Sequence, residues 1–552
     1  MKRRSFLQFG LLASAGLVFA RRYAQALSTV SSRVEVLLDE PLGTIAPEIY
    51  GQFTEQIGGV IYDGVWVGEK SKIPNQYGIR SALIEKLRAI QMPVCRWPGG
   101  CFADSYDWQD GLGPRAKRPT RTNFWENAGF KQLHGQGVQL YEDNAFGTDD
   151  FMRFCNLTGA QPYLAANLRS LPALSFDHWV EYCNSPAGST TLARQRAANG
   201  SNAPYNVHYW GVGNESWGCG GNFTPEEYAS EYRRFTAWVP RYGLDLRLIG
   251  SGPSDNDTAW TQGFFNALSS SDYYTDPENI WGWSIHHYAT DLSLGKPHNW
   301  DTEKGDAIRF GPVEWYEVLK QSDLIEQIIM DNWAAIGKFD TKHRIKFVVD
   351  EYGPWYRPGT ELDPTQLLGQ QITVRDALAT ALTLDTFNRN PEKIGMAACA
   401  QLINCLNSLF LAHEDHFITT PNYNVFAMYM PHMGAQAVRV EFSAPDIFYQ
   451  RDGKQASFWG LKGSASRKEK TLTLTLVNPH LTEAQDTEIM LRGGSPVSAT
   501  GSVLSASDVH AHNTFADPDA VKIVALPITV NGSRLHCELP PASIVAVQTK
   551  LR

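Results

Sequence analysis

The stretch Val207–Glu215, "VHYWGVGNE", is an apolar, strand-forming run that stops on Asn214 and Glu215. Aromatic and β-branched side chains favour a buried extended backbone, whereas the two polar residues at its end need solvent or a partner. The same design recurs along the chain. "IYGQFTE" ends at Glu55, "MPVCRWPGG" at Gly100, and "PYLAANL" carries Asn167. "LRLIGSG" ends at Gly252, "WGWSIHHY" at Tyr288, "IKFVVDEY" holds Glu351 and "IGMAACAQL" holds Gln401. Between these runs lie amphipathic segments with helix start signals. In "FTPEEYASEYRRFTAW" Thr224 is placed as N-cap, Pro225 at the first helical position and Glu227 where it closes a capping box. "TVRDALATALTLDTFNR" opens on Thr373 and carries Asp376 three residues on, where a carboxylate suits a helix N-terminus. Eight strand–helix units predict an α/β fold, a closed (β/α)8 TIM barrel over 49–430, with its functional groups at the C-terminal ends of the strands. An open doubly wound sheet is the rival, but no G-x-G-x-x-G follows the first strand.

From 431 to 552 the period changes to two. "TLTLTLVN" (Thr471–Asn478) alternates, "RLHCEL" and "SIVAVQTKL" follow, and Asn531-Gly532 and Pro540-Pro541 mark turns. This pattern predicts a C-terminal antiparallel β-sandwich, jelly-roll-like, joined by a strand from the segment 27–48. The first 26 residues combine Arg3-Arg4, an apolar run from Phe9 to Ala20 and the small-residue site Ala24-Gln25-Ala26. They read as a twin-arginine-type export signal, which places the mature protein in the periplasm or outside the cell, with no membrane span after cleavage.

The 552 residues carry a net charge of -9, and no concentrated basic stripe is present to meet phosphates, which argues against a nucleic-acid partner. The eight cysteines show neither C-x-x-C pairs nor zinc-like spacing, and most are expected to be buried thiols. Sixteen Trp and 22 Tyr would suit sugar-binding clefts, although plain aromatic packing is the commoner reason for such numbers.

Glu215 and Glu351 each end an apolar strand of the barrel wall, where a carboxylate faces the mouth. Glycosidic cleavage requires such a pair, one carboxyl to protonate the leaving oxygen and another to attack the anomeric carbon or activate water. Asn214, beside the first, can hydrogen-bond a sugar hydroxyl next to the reacting carbon.

With these residues in place, the chain resembles the α-L-arabinofuranosidases of glycoside hydrolase family 51. The resemblance covers nearly all of the chain after its first residues. It runs through "IYGQFTEQIGGVIYDGVWVG", "RWPGGCFADSYDWQDGLGP", "PYNVHYWGVGNESWG" and "VVDEYGPWY", and continues in "AQLINCLNSLF", "TPNYNVFAMYMPH" and "PPASIVAVQ". It implies removal of terminal non-reducing arabinofuranosyl residues from arabinan- or arabinoxylan-type polymers or oligosaccharides, without cofactor or metal. Glu215, after the fourth strand, would be the acid/base, protonated at the start. Glu351, after the seventh, would be the ionised nucleophile of a retaining double displacement, with the carboxyls roughly 5 to 5.5 Å apart. The sugar-contacting positions implied are Glu55, Cys101, Asn214, Tyr288 and Gln401, with Tyr288 orienting Glu351. For Cys101 a buried, purely apolar role weighs equally. Of His286 and His287, one is expected at the pocket floor and one packed away. Relatives are commonly oligomers, often hexamers. This chain departs from the family pattern at His287, at Tyr352 and in the glycine-rich "SWGCGG" after the acid/base.

Three other readings compete. The same mechanism could act on β-xylosides or β-glucans. "AHEDHF", with His413 and His416, could ligate a metal in a hydrolase, although it lacks the H-E-x-x-H spacing. The third is a non-catalytic carbohydrate-binding barrel.

Overall fold

In the computed structural model, residues 31–125, 140–270, 279–290 and 304–552 are described. The export-signal segment 1–26 lies outside them. Eight parallel strands close into a barrel in chain order. They are Gly51–Phe53, Val94–Trp97, Gln161–Ala166, Tyr209–Val212, Arg247–Gly250, Gly282–Ala289, Lys346–Pro354 and Ile394–Cys399, and the eighth pairs back onto the first through Ala398 and Gly51. These are the eight apolar runs of the sequence. Val94, Tyr163, Tyr209, Ile249, Val348 and Met396 form a separate small core contributed by six different strands. Such packing fills a barrel of this size, so room for chemistry exists only at its mouth.

The helix signals act as the sequence implies. Thr224 Oγ1 accepts the Glu227 N–H at 3.2 Å, and Glu227 Oε2 accepts the Thr224 N–H at 2.8 Å. Asp376 Oδ2 likewise accepts the Thr373 N–H at 2.7 Å. The helix that follows, Val374–Arg389, is buried on every face from Val374 to Asn388, as befits an element sandwiched between two layers rather than lying on a surface.

The second layer is a ten-stranded sheet that includes Ser32–Thr44, paired antiparallel with Gln436–Ser443 and parallel with Gln485–Arg492. Strands from opposite ends of the sheet, Pro496–Leu504 and Thr529–Asn531, approach one another. The expected sandwich is therefore one sheet curled around its own core of Val34, Val36, Leu474, Ile489 and Val545.

Polar contacts join the two layers. Asp385 accepts hydrogen bonds from Ser464 Oγ at 2.6 Å, Thr475 Oγ1 at 2.6 Å and Tyr429 OH at 2.9 Å. Asn388 accepts from Tyr50 OH at 2.8 Å and donates to Ser464 Oγ at 3.1 Å. Burial lifts the Asp385 carboxyl to about 6, above the ~3.9 of an unfolded chain. Between those values the folded state keeps a proton that the unfolded state has lost, so this group's contribution to stability falls as pH rises from about 4 to 6. Asp385→Ala, which strands buried hydroxyls, is expected to cost about 2–3 kcal/mol and lower the thermal midpoint. Asp385→Asn keeps an acceptor and should flatten the pH 4–6 decline; an unchanged slope in that variant would contradict the assignment.

Candidate active site

The loops after the barrel strands enclose a cavity of about 290 Å³ lined by Glu55, Cys101, Glu215, Tyr288, Glu351 and Gln401, with an apolar wall of leucines and two tryptophans. Of the catalytic and sugar-contacting positions expected from the sequence, Asn214 alone is not part of that lining, and it stands next to Glu215.

Arg96, on the second strand, organises the floor. Its Nη1 donates to Glu351 Oε1 at 2.7 Å, its Nη2 to Asn214 Oδ1 at 2.5 Å, and its Nε lies 3.5 Å from Asp350 Oδ2. Burial opposes the guanidinium charge, but the carboxylates of Asp350 and Glu351 outweigh it and hold Arg96 protonated. The other oxygen of Glu351 accepts from Tyr288 OH at 2.7 Å, so Arg96 and Tyr288 fix the carboxylate from both sides. Asp350, also buried, accepts from Ser284 Oγ at 2.6 Å and Tyr163 OH at 2.8 Å. Burial works against its charge too, yet Arg96 and His286 keep it well below the usual carboxylate range.

His286, expected as one of the two histidines at the pocket floor, lies buried behind the lining, against Glu215 and Glu351. Its Nδ1 lies 2.9 Å from Glu215 Oε1 and 3.5 Å from Glu351 Oε2, and its Nε2 3.2 Å from Asp350 Oδ1. Burial pulls its proton affinity down, but Glu351 and Asp350 raise it to about 10, so at neutral pH the ring is an imidazolium donating at both nitrogens. His287 is packed away, held by Asp255 at 3.0 Å and by the Gln321 carbonyl at 2.7 Å.

Glu55 accepts the Phe102 N–H at 2.9 Å and Gln401 Nε2 at 2.8 Å. Burial, and after it the charge of Glu351, push its carboxyl up to about 7. Gln401 Oε1 has no hydrogen-bond partner among the described residues, which leaves a buried acceptor free at the cavity. A Cβ on Gly100 would stand 2.9 Å from Glu351 Oε1 and 3.1 Å from Glu55 Oε1, so a side chain here would push against both carboxyls.

The expectation that most cysteines are buried thiols holds for six of the eight. Cys101 and Cys219 instead form a disulfide across 118 residues. Cys101 is thus neither a free thiol nor a fully buried one. Glu215 Oε2 lies 3.3 Å from Cys219 Sγ and 3.7 Å from Cys101 Sγ; disulfide sulfurs have no proton to donate, so these are packing contacts. Glu215 itself has φ 39°, a left-handed conformation uncommon outside glycine, held by His286 and the bridge. The glycine-rich tail "SWGCGG" is the turn that delivers Cys219 to the bridge. Tyr352, the other departure, is buried and meets Phe387 edge-on, away from the cavity.

Arg96 and Asp350 were not singled out by the sequence reading, although a charge inside the apolar runs "VCRW" and "FVVDE" signals a buried partner. "AHEDHF" is the tip of a hairpin in which His413 faces Asp63 at 3.5 Å and His416 faces Asp415 at 3.1 Å.

Comparison with known proteins places this arrangement. The α-L-arabinofuranosidase 1 domain model matches residues 86–290, and the α-L-arabinofuranosidase C-terminal domain model matches 350–543. An intracellular exo-α-L-arabinofuranosidase of Bacteroides ovatus is 34% identical over 522 residues, spanning 94% of this chain and 95% of the relative. The structure is similar to that of the family 51 arabinofuranosidase from Xanthomonas axonopodis pv. citri, with a TM-score of 0.86 and 34% identity over 94% of this chain and all (100%) of that one. It is also similar to an arabinose complex of the Thermotoga maritima α-L-arabinofuranosidase, with a TM-score of 0.79 and 27% identity over 94% of this chain and 100% of that one. With both domain models matched and a third of all positions shared along almost the whole chain, this protein belongs to the α-L-arabinofuranosidase family, glycoside hydrolase family 51.

Proposed function

We propose that the protein releases terminal α-L-arabinofuranosyl residues from arabinan- or arabinoxylan-type chains, with retention of configuration. One observation carries the mechanism: oxygens of Glu215 and Glu351 and a nitrogen of His286 lie within 4.8 Å of one another. Inverting enzymes hold their carboxyls roughly 6.5–9.5 Å apart to seat a water between them, whereas this spacing supports direct attack by one carboxylate. The small cavity, about 290 Å³, supports removal of one terminal sugar at a time rather than cleavage within a chain.

In the first step Glu351, oriented by Arg96 and Tyr288, attacks the anomeric carbon while Glu215 protonates the departing oxygen. Oε1 of Glu215 is tied to His286, so Oε2 is the oxygen that carries the transferable proton. Once Glu351 is esterified its charge is gone; Glu215 then takes a proton from water, which cleaves the ester. Asn214, Glu55 and the free Oε1 of Gln401 meet the sugar hydroxyls, and these contacts strengthen as the ring gains oxocarbenium character.

We also propose that the chain is exported through its amino-terminal segment. Arg3-Arg4 and the Ala24–Ala26 site support this, and so does a disulfide at the cavity, which persists in oxidising compartments. The Bacteroides ovatus relative is described as intracellular, so the two would work in different compartments.

Glu351→Ala should lose aryl α-L-arabinofuranoside turnover by ~10³-fold or more. Glu215→Ala should lose ~10²–10⁴, with azide, which needs no general base, restoring part of the rate; undiminished turnover in either variant would refute the roles. Gly100→Ala, by displacing two carboxyls, should cost about 10² in kcat/KM while leaving the thermal midpoint near that of the parent, and a silent substitution would show that their positions tolerate shift. Protein recovered outside the cytoplasm should begin near Leu27; recovery only in the cytoplasm with an intact amino terminus would end the export proposal.

A further inference from the structure

We propose that reduction of the Cys101–Cys219 bridge uncovers a site for a thiophilic divalent cation, made of the two thiolates and the carboxylate of Glu215. The three side chains come from the loops after the second and fourth barrel strands. Their ligand atoms lie within 4.8 Å of one another, and each residue is only half-buried. A tetrahedral ion with sulfur at about 2.3 Å and oxygen at about 2.1 Å sets sulfur–oxygen edges of about 3.6 Å and a sulfur–sulfur edge of about 3.8 Å. The two sulfur–oxygen distances already present, 3.3 and 3.7 Å, bracket the first value. Only the sulfurs have to part, and cleaving the bridge allows that. Two soft thiolates and one carboxylate fit zinc or cadmium and leave a fourth position open toward the cavity.

A trialkylphosphine takes oxygen from water and becomes the phosphine oxide, while the disulfide takes two electrons from phosphorus and the two protons of that water to give two thiols. Cation binding then releases both protons. The bound ion occupies the acid/base itself, so the reduced enzyme loses turnover in the presence of the cation while the oxidised enzyme keeps it. In its bridged form the disulfide shields Glu215 from such metals.

This inference rests on the position of Glu215 beside the bridge, not on the identity of the sugar, and its main readout contains no sugar. Full-length enzyme, oxidised or phosphine-reduced and freed of reductant under argon, is titrated with Cd²⁺. The ultraviolet thiolate-to-cadmium charge-transfer band and arabinofuranosidase activity are followed together. Reduction should expose two additional thiols to a native thiol titration. The band should appear only in the reduced protein, with a loss of activity of about tenfold or more that a chelator reverses. Cys219→Ser should bind Cd²⁺ at least about tenfold more weakly, a difference of about 1.4 kcal/mol. Absence of the band in reduced wild-type enzyme, its presence in the oxidised form, or its persistence in a Cys101→Ser, Cys219→Ser double variant would overturn the proposal. The last result would assign the metal to the six buried thiols. The comparison of oxidised with reduced wild-type protein stands even if a variant fails to fold.

Discussion

Arg96 is 1% exposed and charged, and a guanidinium in that position is tolerable only if every neighbour is arranged to receive it. The neighbours are Asp350 and Glu351 on the seventh strand and Asn214 after the fourth, so one side chain of the second strand sets the separation of three others. His286 repeats the arrangement from the sixth strand, with a second buried cation between Glu215, Asp350 and Glu351. The two cations face the carboxylates of Asp350 and Glu351, and that near balance lets the carboxyl of Glu215 stand within a few ångströms of Glu351 at the barrel mouth. Asp350 never touches the cavity, yet it supplies the charge that keeps both cations protonated.

Around this cluster the backbone takes up conformations that a plain barrel would not need. Glu215 sits in the left-handed region, and its turn is fastened to the second-strand loop by the disulfide. Gly100 lets the chain pass between two carboxyls. The curled sheet contributes from behind. By burying the helix Val374–Arg389 on its far side, it braces the segment between the nucleophile strand and the strand leading to Gln401.

The barrel was legible because its signals are local: each strand is one short apolar run, and two of the helices announce their start by Thr with Glu or Asp three residues on. Chain order then gave the strand count, and the count put Glu215 and Glu351 at the fourth and seventh mouths. Long-range features were harder to read. Cys101 and Cys219 are 118 residues apart with no motif between them, and only their shared place just after barrel strands could have paired them. Arg96 and Asp350 lie inside apolar strands, and which partners such buried charges meet is set only when the barrel closes. The C-terminal β domain was legible from its period of two, but its strand order, which mixes Ser32–Thr44 with strands some 400 residues later, leaves no local trace.

The central claim is that Glu351 becomes covalently bonded to the sugar. A slow 2-deoxy-2-fluoro arabinofuranoside with a good leaving group should accumulate that intermediate, because the fluorine weakens oxocarbenium development more than binding. Peptide mapping by mass spectrometry should then find one fluorosugar on the peptide containing Glu351. A label on any other residue, or turnover by inversion with no adduct, would contradict the account.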